Sequence, residues 1–164
     1  MEKSLNYRKA YLDDVSRLVE LRKKQLIDEG CYADNNIDKE LQKYFSDSIA
    51  NESLVVWIAE ELGEIIATAG VCFFQYPPSY SNPTGMIAYV TNVYTKLQYR
   101  KQGIASGLLE YIMDEIESKG CKFARLHSSD QGRGMYEKMG FVNADGFMVK
   151  RMKKWGREKV WKWT

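Results

Sequence analysis

The chain has 164 residues, of which 45% are hydrophobic, and its formal net charge at neutral pH is +2. These values are typical of one globular domain and exclude a wholly disordered chain or an integral membrane protein. The charge is too balanced to predict a nucleic-acid partner, and no run approaches the roughly 20 apolar residues of a membrane span, so we expect a cytoplasmic protein.

The first fifty residues predict one strand followed by two helices. Asn6–Ala10 has the composition of a short strand. Asp13 is a suitable cap for a helix whose apolar residues fall largely on one face, and Gly30 is well placed to end it. Ile37–Ala50 repeats apolar residues at helical spacing and predicts a second helix.

The middle of the chain predicts three strands. Leu54–Ala59 and Ile65–Phe74 are apolar and β-prone, and the turn-forming residues between them predict a hairpin. The segment Tyr76–Pro83 contains all three prolines and is the clearest loop. Gly85–Thr95 is rich in valine, isoleucine, threonine and tyrosine, as strands are.

The last third predicts a long helix, a short strand, a short helix and a closing pair of strands. Ile104–Ser118 has the strongest helical periodicity, and Phe123–His127 is a short strand. Gly134–Met139 is a short helix, and Phe141–Asn143 and Phe147–Met152 have strand composition. The order predicts a single α/β domain with a mixed sheet.

The C-terminal tail, Lys153–Thr164, mixes lysine and arginine with three tryptophans. We treat it as an extension of one domain that covers residues 1–164. Tryptophan buries a large area, so packing against the body or against a second copy in a homodimer is favoured. Binding to RNA or to a membrane surface is a weaker alternative, because few basic residues take part.

A basic turn between a strand and the long helix carries the chemical signal. Arg100 and Lys101 precede Gly103, at which the helix begins, and Ala105 keeps the first turn narrow. A helix N-terminus offers unpaired N–H groups and a partial positive charge, and this combination binds phosphate. The turn matches neither a Walker loop nor a dinucleotide fingerprint, and a plain solvated corner is the alternative interpretation.

Two motifs of the chain, the basic turn and a run that begins at Tyr136, resemble motifs of the GNAT superfamily of N-acetyltransferases. Arg100-x-x-Gly103-x-Ala105 resembles the (Q/R)xxGx(G/A) signature, and the run from Tyr136 to Phe141 resembles the family's later Tyr-Glu-Lys-x-Gly-Phe motif. The resemblance covers nearly the whole chain. It implies a mixed, mostly antiparallel sheet that splays between its fourth and fifth strands and is flanked by about four helices.

The resemblance also implies that acetyl-CoA is the co-substrate and that an amine is the acceptor. Backbone groups of Val93, Tyr94 and Thr95 would contact the pantetheine arm. Backbone N–H groups at the basic turn would hold the pyrophosphate. By resemblance, these residues are Lys101, Gln102, Gly103, Ile104, Ala105 and Ser106, and Arg100 adds positive charge to the same cofactor site. Ser129 falls where relatives often have an asparagine that touches the cofactor.

By resemblance, Tyr136 aligns with the frequent general acid of the family. This role is chemically reasonable because a phenol near the sulfur can protonate the departing thiolate. The glutamate base of some relatives is replaced by Ala124. His127, Asp130 and a water relay are the alternatives for the base. We predict no metal site, because the chain has a single histidine and three widely separated cysteines.

The leading prediction is therefore direct transfer of an acetyl group from acetyl-CoA to a primary amine of a small molecule or peptide. A non-catalytic CoA-binding module with the same fold is the alternative. The replaced glutamate favours that alternative, and the presence of Tyr136 argues against it. Polyamines, aminoglycosides, amino acids and peptide N-termini all remain open as acceptors.

Overall fold

The computed structural model describes residues 5–144, 146–148 and 150 of the chain, and within these residues one sheet has helices on both faces. The strands are β1 (Leu5–Lys9), β2 (Leu54–Glu61), β3 (Glu64–Gln75), β4 (Met86–Thr95) and β5 (Ala124–Arg125). The α-helices are α1 (Val15–Asp28), α2 (Asp38–Ala50), α3 (Ile104–Ser118) and α4 (Arg133–Lys138).

The five strands lie in the sheet in their chain order, from β1 to β5. The pairs from β1 to β4 are antiparallel, whereas β4 and β5 are parallel. Leu62 and Gly63 connect β2 to β3, and both have positive φ angles, 52° and 79°. Positive φ at both central residues is typical of a type I′ hairpin turn, and the predicted hairpin is confirmed.

The hydrophobic core lies on both faces of the sheet because β3 is buried on each side. Its residues from Ile65 to Cys72 are all buried. On one face α3 packs four residues at helical spacing, Ile104, Leu108, Ile112 and Ile116, each at most 5% exposed. On the other face α1 and α2 contribute a second cluster that includes Leu18 and Phe45.

Strands β4 and β5 separate soon after they meet. Only two residue pairs join them, Ala88 with Ala124 and Tyr89 with Arg125, whereas β4 continues to Thr95. The expected splay between the fourth and fifth strands is confirmed. The gap that it leaves is open to solvent and lies beside the N-terminus of α3.

The closing strand predicted at Phe141–Asn143 is wrong, because these residues form no regular structure. Phe141 packs its ring against Tyr136, with 5.8 Å between ring centroids, and Val142 is 86% exposed. Strand β5 has two residues instead of the predicted five, so it offers little backbone for another strand to pair with.

The second predicted closing strand, Phe147–Met152, falls partly outside the described residues. Phe147, Met148 and Lys150 are described, and they form no strand. The predictions for the tail Lys153–Thr164 lie wholly outside the described residues. Within the described part of the chain, no helix is both long and apolar enough to cross a membrane.

Candidate active site

An open cleft of about 1510 Å³ occupies the gap between β4 and the segment that follows β5. All of the predicted cofactor-binding residues line it except Gln102, and His127 and Tyr136 line it too. Gln102 is exposed, and its side-chain amide donates to the backbone oxygen of Gln98 at 3.2 Å. The fold thus brings both motifs, which are distant in sequence, to one cavity.

A bulge in β4 shapes the wall of the cleft. The register between β3 and β4 shifts at this point, so that Gly70 pairs with Thr91 but Thr68 pairs with Tyr94. Asn92 adopts a φ of 52°, and the hydroxyl of Thr68 donates to its backbone oxygen at 2.7 Å. Left-handed backbone is uncommon for residues other than glycine, although asparagine tolerates it better than most. A bulge bends a strand and increases its twist, and the pairing with β3 resumes in the shifted register at Tyr94 and Thr95.

The basic turn meets the expectation of an exposed helix N-terminus. Gly103 caps α3 with a φ of 79°, and no side chain caps the helix. The first-turn N–H groups are therefore available to an anion. Lys101 is exposed and also has a positive φ, 62°. Two left-handed residues, separated by Gln102, thus reverse the chain just before the helix.

Arg100 turns back toward β4. Its Nε donates to the backbone oxygen of Thr95 at 2.9 Å, and one of its terminal nitrogens lies 3.3 Å from Asp28. Its guanidinium also lies over the ring of Tyr94, 5.6 Å from the centroid. Arg100 therefore braces the turn, and part of its charge is balanced by Asp28.

Tyr136 reaches the cleft from α4. Its side chain is 8% exposed, and burial, with a smaller contribution from the carboxylate of Glu29, raises its pKa to about 12. A Cβ atom added to Gly132 would lie 3.0 Å from this ring, so glycine permits the close approach. Ser129 accepts a hydrogen bond from the N–H of Gly132 at 3.2 Å, which fixes the turn that starts α4.

His127 is exposed at the rim of the cleft. Its Nδ1 lies 2.7 Å from the hydroxyl of Tyr89, which sequence analysis did not single out. The structure thus brings His127 into the same cavity as Tyr136. Its role as a base stays a prediction.

Sequence analysis missed a polar group on α1. Gln25 is 5% exposed. Its amide oxygen accepts a hydrogen bond from Arg22 at 3.1 Å, and its amide nitrogen donates one to Glu29 at 2.9 Å. All three side chains line the cleft. The available signal was the helical spacing of Leu18, Leu21 and Gln25, which places a polar residue on the buried face of the helix.

The sequence of the chain matches the model of a known protein family. The model of the acetyltransferase (GNAT) domain matches residues 52–143 of the chain. The chain belongs to the GNAT family of acetyltransferases. It is accordingly an acyltransferase, and acetyl-CoA is its co-substrate.

Similar proteins agree with this membership. A predicted acetyltransferase from Clostridium acetobutylicum, solved with acetyl-CoA, is 44% identical, with a TM-score of 0.88; the match covers 91% of this chain and 97% of the other. Glucosamine 6-phosphate N-acetyltransferase from Arabidopsis thaliana is 25% identical over 120 residues, which are 73% of this chain and 77% of that protein. A GCN5-related N-acetyltransferase from Ralstonia eutropha JMP134 shares the fold, with 23% identity over 92% of this chain and 100% of the other and a TM-score of 0.83.

The residues of this chain fit a coenzyme A thioester. The uncapped N-terminus of α3 and the exposed ammonium of Lys101 suit its phosphates. At the end of β4, the hydroxyl of Thr95 is buried without a hydrogen-bond partner among the described residues. The cleft runs past both features to Tyr136.

Proposed function

We propose that this GNAT enzyme transfers the acetyl group of acetyl-CoA directly to a primary amine of a small molecule or peptide. The observation that carries the proposal is one cleft in which an anion-binding helix N-terminus, a protonated phenol and a carboxylate all meet. Gly103 marks the helix end, Tyr136 supplies the phenol and Glu29 supplies the carboxylate.

Acetyl-CoA supplies an activated thioester when it is bound. The ammonium group of the acceptor first loses one proton, and its nitrogen then forms a bond to the acetyl carbon. The carbon–sulfur bond breaks, and the nitrogen loses a second proton. The phenol of Tyr136 delivers a proton to the departing sulfur. The protons from the nitrogen pass to groups that line the cleft, for which His127, Asp130 and Glu29, directly or through water, are the proposed acceptors. One proton returns to the phenolate of Tyr136, and the other leaves to solvent.

The N–H groups at the end of β4 are proposed to stabilise the negative charge that develops on the thioester oxygen. Backbone donors near Tyr94 and Thr95 are suited to this task because β5 pairs only with Ala88 and Tyr89, so the cleft edge of β4 beyond them has no strand beside it. The hydrogen bond from the phenol of Tyr94 to Asp28, at 2.7 Å, ties this strand end to α1.

We further propose that the enzyme works in the cytoplasm. Its three cysteines are all within the described residues and form no disulfide. Disulfides are rare in reducing compartments, and the absence of one agrees with such a location.

Thermal unfolding and an assay of CoA release test the proposal together. Acetyl-CoA is expected to raise the melting temperature, because a ligand that binds only the folded state stabilises it. CoA should then be released when an amine from a panel of amino acids, amino sugars, polyamines and peptides is added. A melting shift with no CoA release from any amine would favour the non-catalytic CoA-binding module instead.

A further inference from the structure

A hydrogen-bonded network of three side chains from α1 and the residue after it lines the cleft. Nη1 of Arg22 donates to Oε1 of Gln25 at 3.1 Å, and Nε2 of Gln25 donates to Oε1 of Glu29 at 2.9 Å. The same amide nitrogen lies 3.4 Å from the backbone oxygen of Val93 in β4. A cation and a carboxylate are thus held one amide apart, in fixed positions relative to the bulged strand.

The buried amide keeps this spacing rigid. Gln25 is 5% exposed, and both ends of its amide have partners. A buried amide that is satisfied at both ends resists rotation, because turning it would place donors against donors and acceptors against acceptors. The network is therefore a preorganised feature of the cleft.

The hydrogen bond of Arg22 within the network goes to an amide and not to a carboxylate. Arg22 is half-buried, and it makes no ion pair with a carboxylate among the described residues. Burial lowers its pKa, while the carboxylate of Glu29 acts in the opposite direction. Arginine stays protonated at any ordinary pH, and buried charges in proteins are usually paired. The guanidinium is thus a ready site for an anion that enters the cleft.

The carboxylate at the other end of the network lies on the side of the reaction. Glu29 contributes to the raised pKa of Tyr136, which places the carboxylate within electrostatic reach of the phenol. An ammonium group drawn to Glu29 would therefore sit beside the proposed acid. An anionic group on the same molecule would extend away from the phenol toward Arg22.

Building on the proposed function, we infer that the acceptor is an amine that also carries an anionic group, a carboxylate or a phosphate, which Arg22 binds while Glu29 receives the amine. A guanidinium binds either anion with two parallel hydrogen bonds. A polycationic amine is disfavoured, since its second charge would meet Arg22.

Matched pairs of amines test this inference on the wild-type enzyme. Each pair keeps the amine and changes only the anion: alanine against alaninamide for a carboxylate, and glucosamine 6-phosphate against glucosamine for a phosphate. Spermidine serves as the polycation. We expect kcat/KM to be roughly ten- to hundredfold higher for the anionic member of at least one pair, as is usual for a charge-assisted hydrogen bond. Equal rates within both pairs, or spermidine as the best acceptor, would overturn the inference.

Substitutions at Arg22 assign the preference to this side chain. Arg22→Gln should remove the advantage of the anionic amine through a higher KM and leave the KM for acetyl-CoA unchanged. Arg22→Lys, which keeps the charge, should retain part of the advantage. Lys24→Gln removes a charge from an exposed position of the same helix outside the cleft, and it should leave the ratio as in the wild type. A ratio that survives Arg22→Gln would show that another group selects the acceptor.

A binding experiment separates failure of this inference from failure of the proposed function. If CoA is released but neutral amines are preferred, acetyl transfer stands and the role of Arg22 is wrong. If no amine releases CoA, the proposed function fails, and calorimetric titration of the CoA-bound protein with alanine and glucosamine 6-phosphate decides the inference alone. Binding that Arg22→Gln abolishes supports the anion site, whereas no binding in the wild type refutes it.

Discussion

Tyr136 combines a buried ring with a position at the edge of the cleft. Burial raises the pKa of its phenol to about 12, so the hydroxyl stays protonated across the range in which an enzyme works. A group with such a pKa cannot serve as a base near neutral pH, whereas it carries a proton that it can give to the sulfur while the carbon–sulfur bond breaks. The environment of the residue therefore agrees with the role of general acid that the motif implies.

Replacement of Tyr136 by phenylalanine tests this role. We expect turnover to fall by roughly 10²–10⁴-fold, the usual contribution of general acid–base catalysis. The affinity for acetyl-CoA should barely change, because the ring that packs against Phe141 is kept. Steady-state kinetics and a thermal-shift titration measure the two quantities.

A second tyrosine provides the control for this substitution. Tyr111 lies on α3, stacked on Trp57 with 4.2 Å between ring centroids, and it does not line the cleft. Tyr111→Phe also removes a single hydroxyl and should keep wild-type turnover. If Tyr136→Phe retains activity within a few-fold of the wild type, another group protonates the sulfur.

At the scale of the element, α3 has two tasks: its apolar stripe packs on the sheet, and its N-terminus opens into the cleft. Its apolar stripe anchors the helix on the sheet, and each fully buried aliphatic side chain contributes about 1.5–3 kcal/mol to folding. Its N-terminus at Gly103 is uncapped and opens into the cleft, whereas Gly120 follows its C-terminus away from the cleft. The stripe thus holds the helix still while its N–H groups stay available.

The two glycines allow a matched test of the N-terminus. Gly103 and Gly120 have φ angles of 79° and 72°, and a Cβ at either would meet no atom within 4 Å. Substitution by valine should therefore cost each a similar strain, about 1–2 kcal/mol, and lower the two melting temperatures alike. Only Gly103→Val should lose the rise in melting temperature that acetyl-CoA produces, since its side chain occupies the approach to the helix end.

Thermal unfolding with and without acetyl-CoA measures both effects in the same samples. Gly120→Val is expected to show the full wild-type response from its lowered starting temperature. A normal acetyl-CoA response in folded Gly103→Val would remove the helix N-terminus from the cofactor site.

Across the whole molecule, the sequence predicts best what depends on local periodicity. The stripe of α3 and the turn at Leu62 and Gly63 depend on neighbours in the chain, and both were foreseen. The bulge at Asn92 was not, because it depends on how β3 and β4 align. The network at Gln25 was missed because its partners lie one turn before it, one turn after it at the end of α1, and on a distant strand. The closing strand at Phe141–Asn143 failed because strand composition alone does not provide a partner.

A network of ion pairs joins β1, β2 and the start of α1. The guanidinium of Arg8 on β1 binds the carboxylate of Asp14 at 2.8 and 3.0 Å and that of Glu60 on β2 at 2.9 and 2.7 Å. Arg17 of α1 also binds Asp14, which is 2% exposed and accepts the N–H of Tyr11 at 2.8 Å. One buried carboxylate therefore connects the N-terminal strand, the sheet and the first helix.

The acid stability of the protein should depend on Asp14. Its hydrogen bonds with Arg8 lower its pKa to about 2, from an unperturbed value near 4. A lowered folded-state pKa stabilises the protein above the unfolded-state value, and this stability is lost as pH falls through the folded-state value. Asp14→Asn should therefore lower the free energy of unfolding by about 2 kcal/mol at pH 7, and the difference from wild type should narrow between about pH 4 and pH 2.

Urea unfolding across that pH range measures this difference in unfolding free energy, and Asp13→Asn makes the same change at the exposed neighbouring residue. Asp13→Asn should stay near wild type at every pH, whereas a constant gap for Asp14→Asn would mean that packing, and not the charge, accounts for its cost.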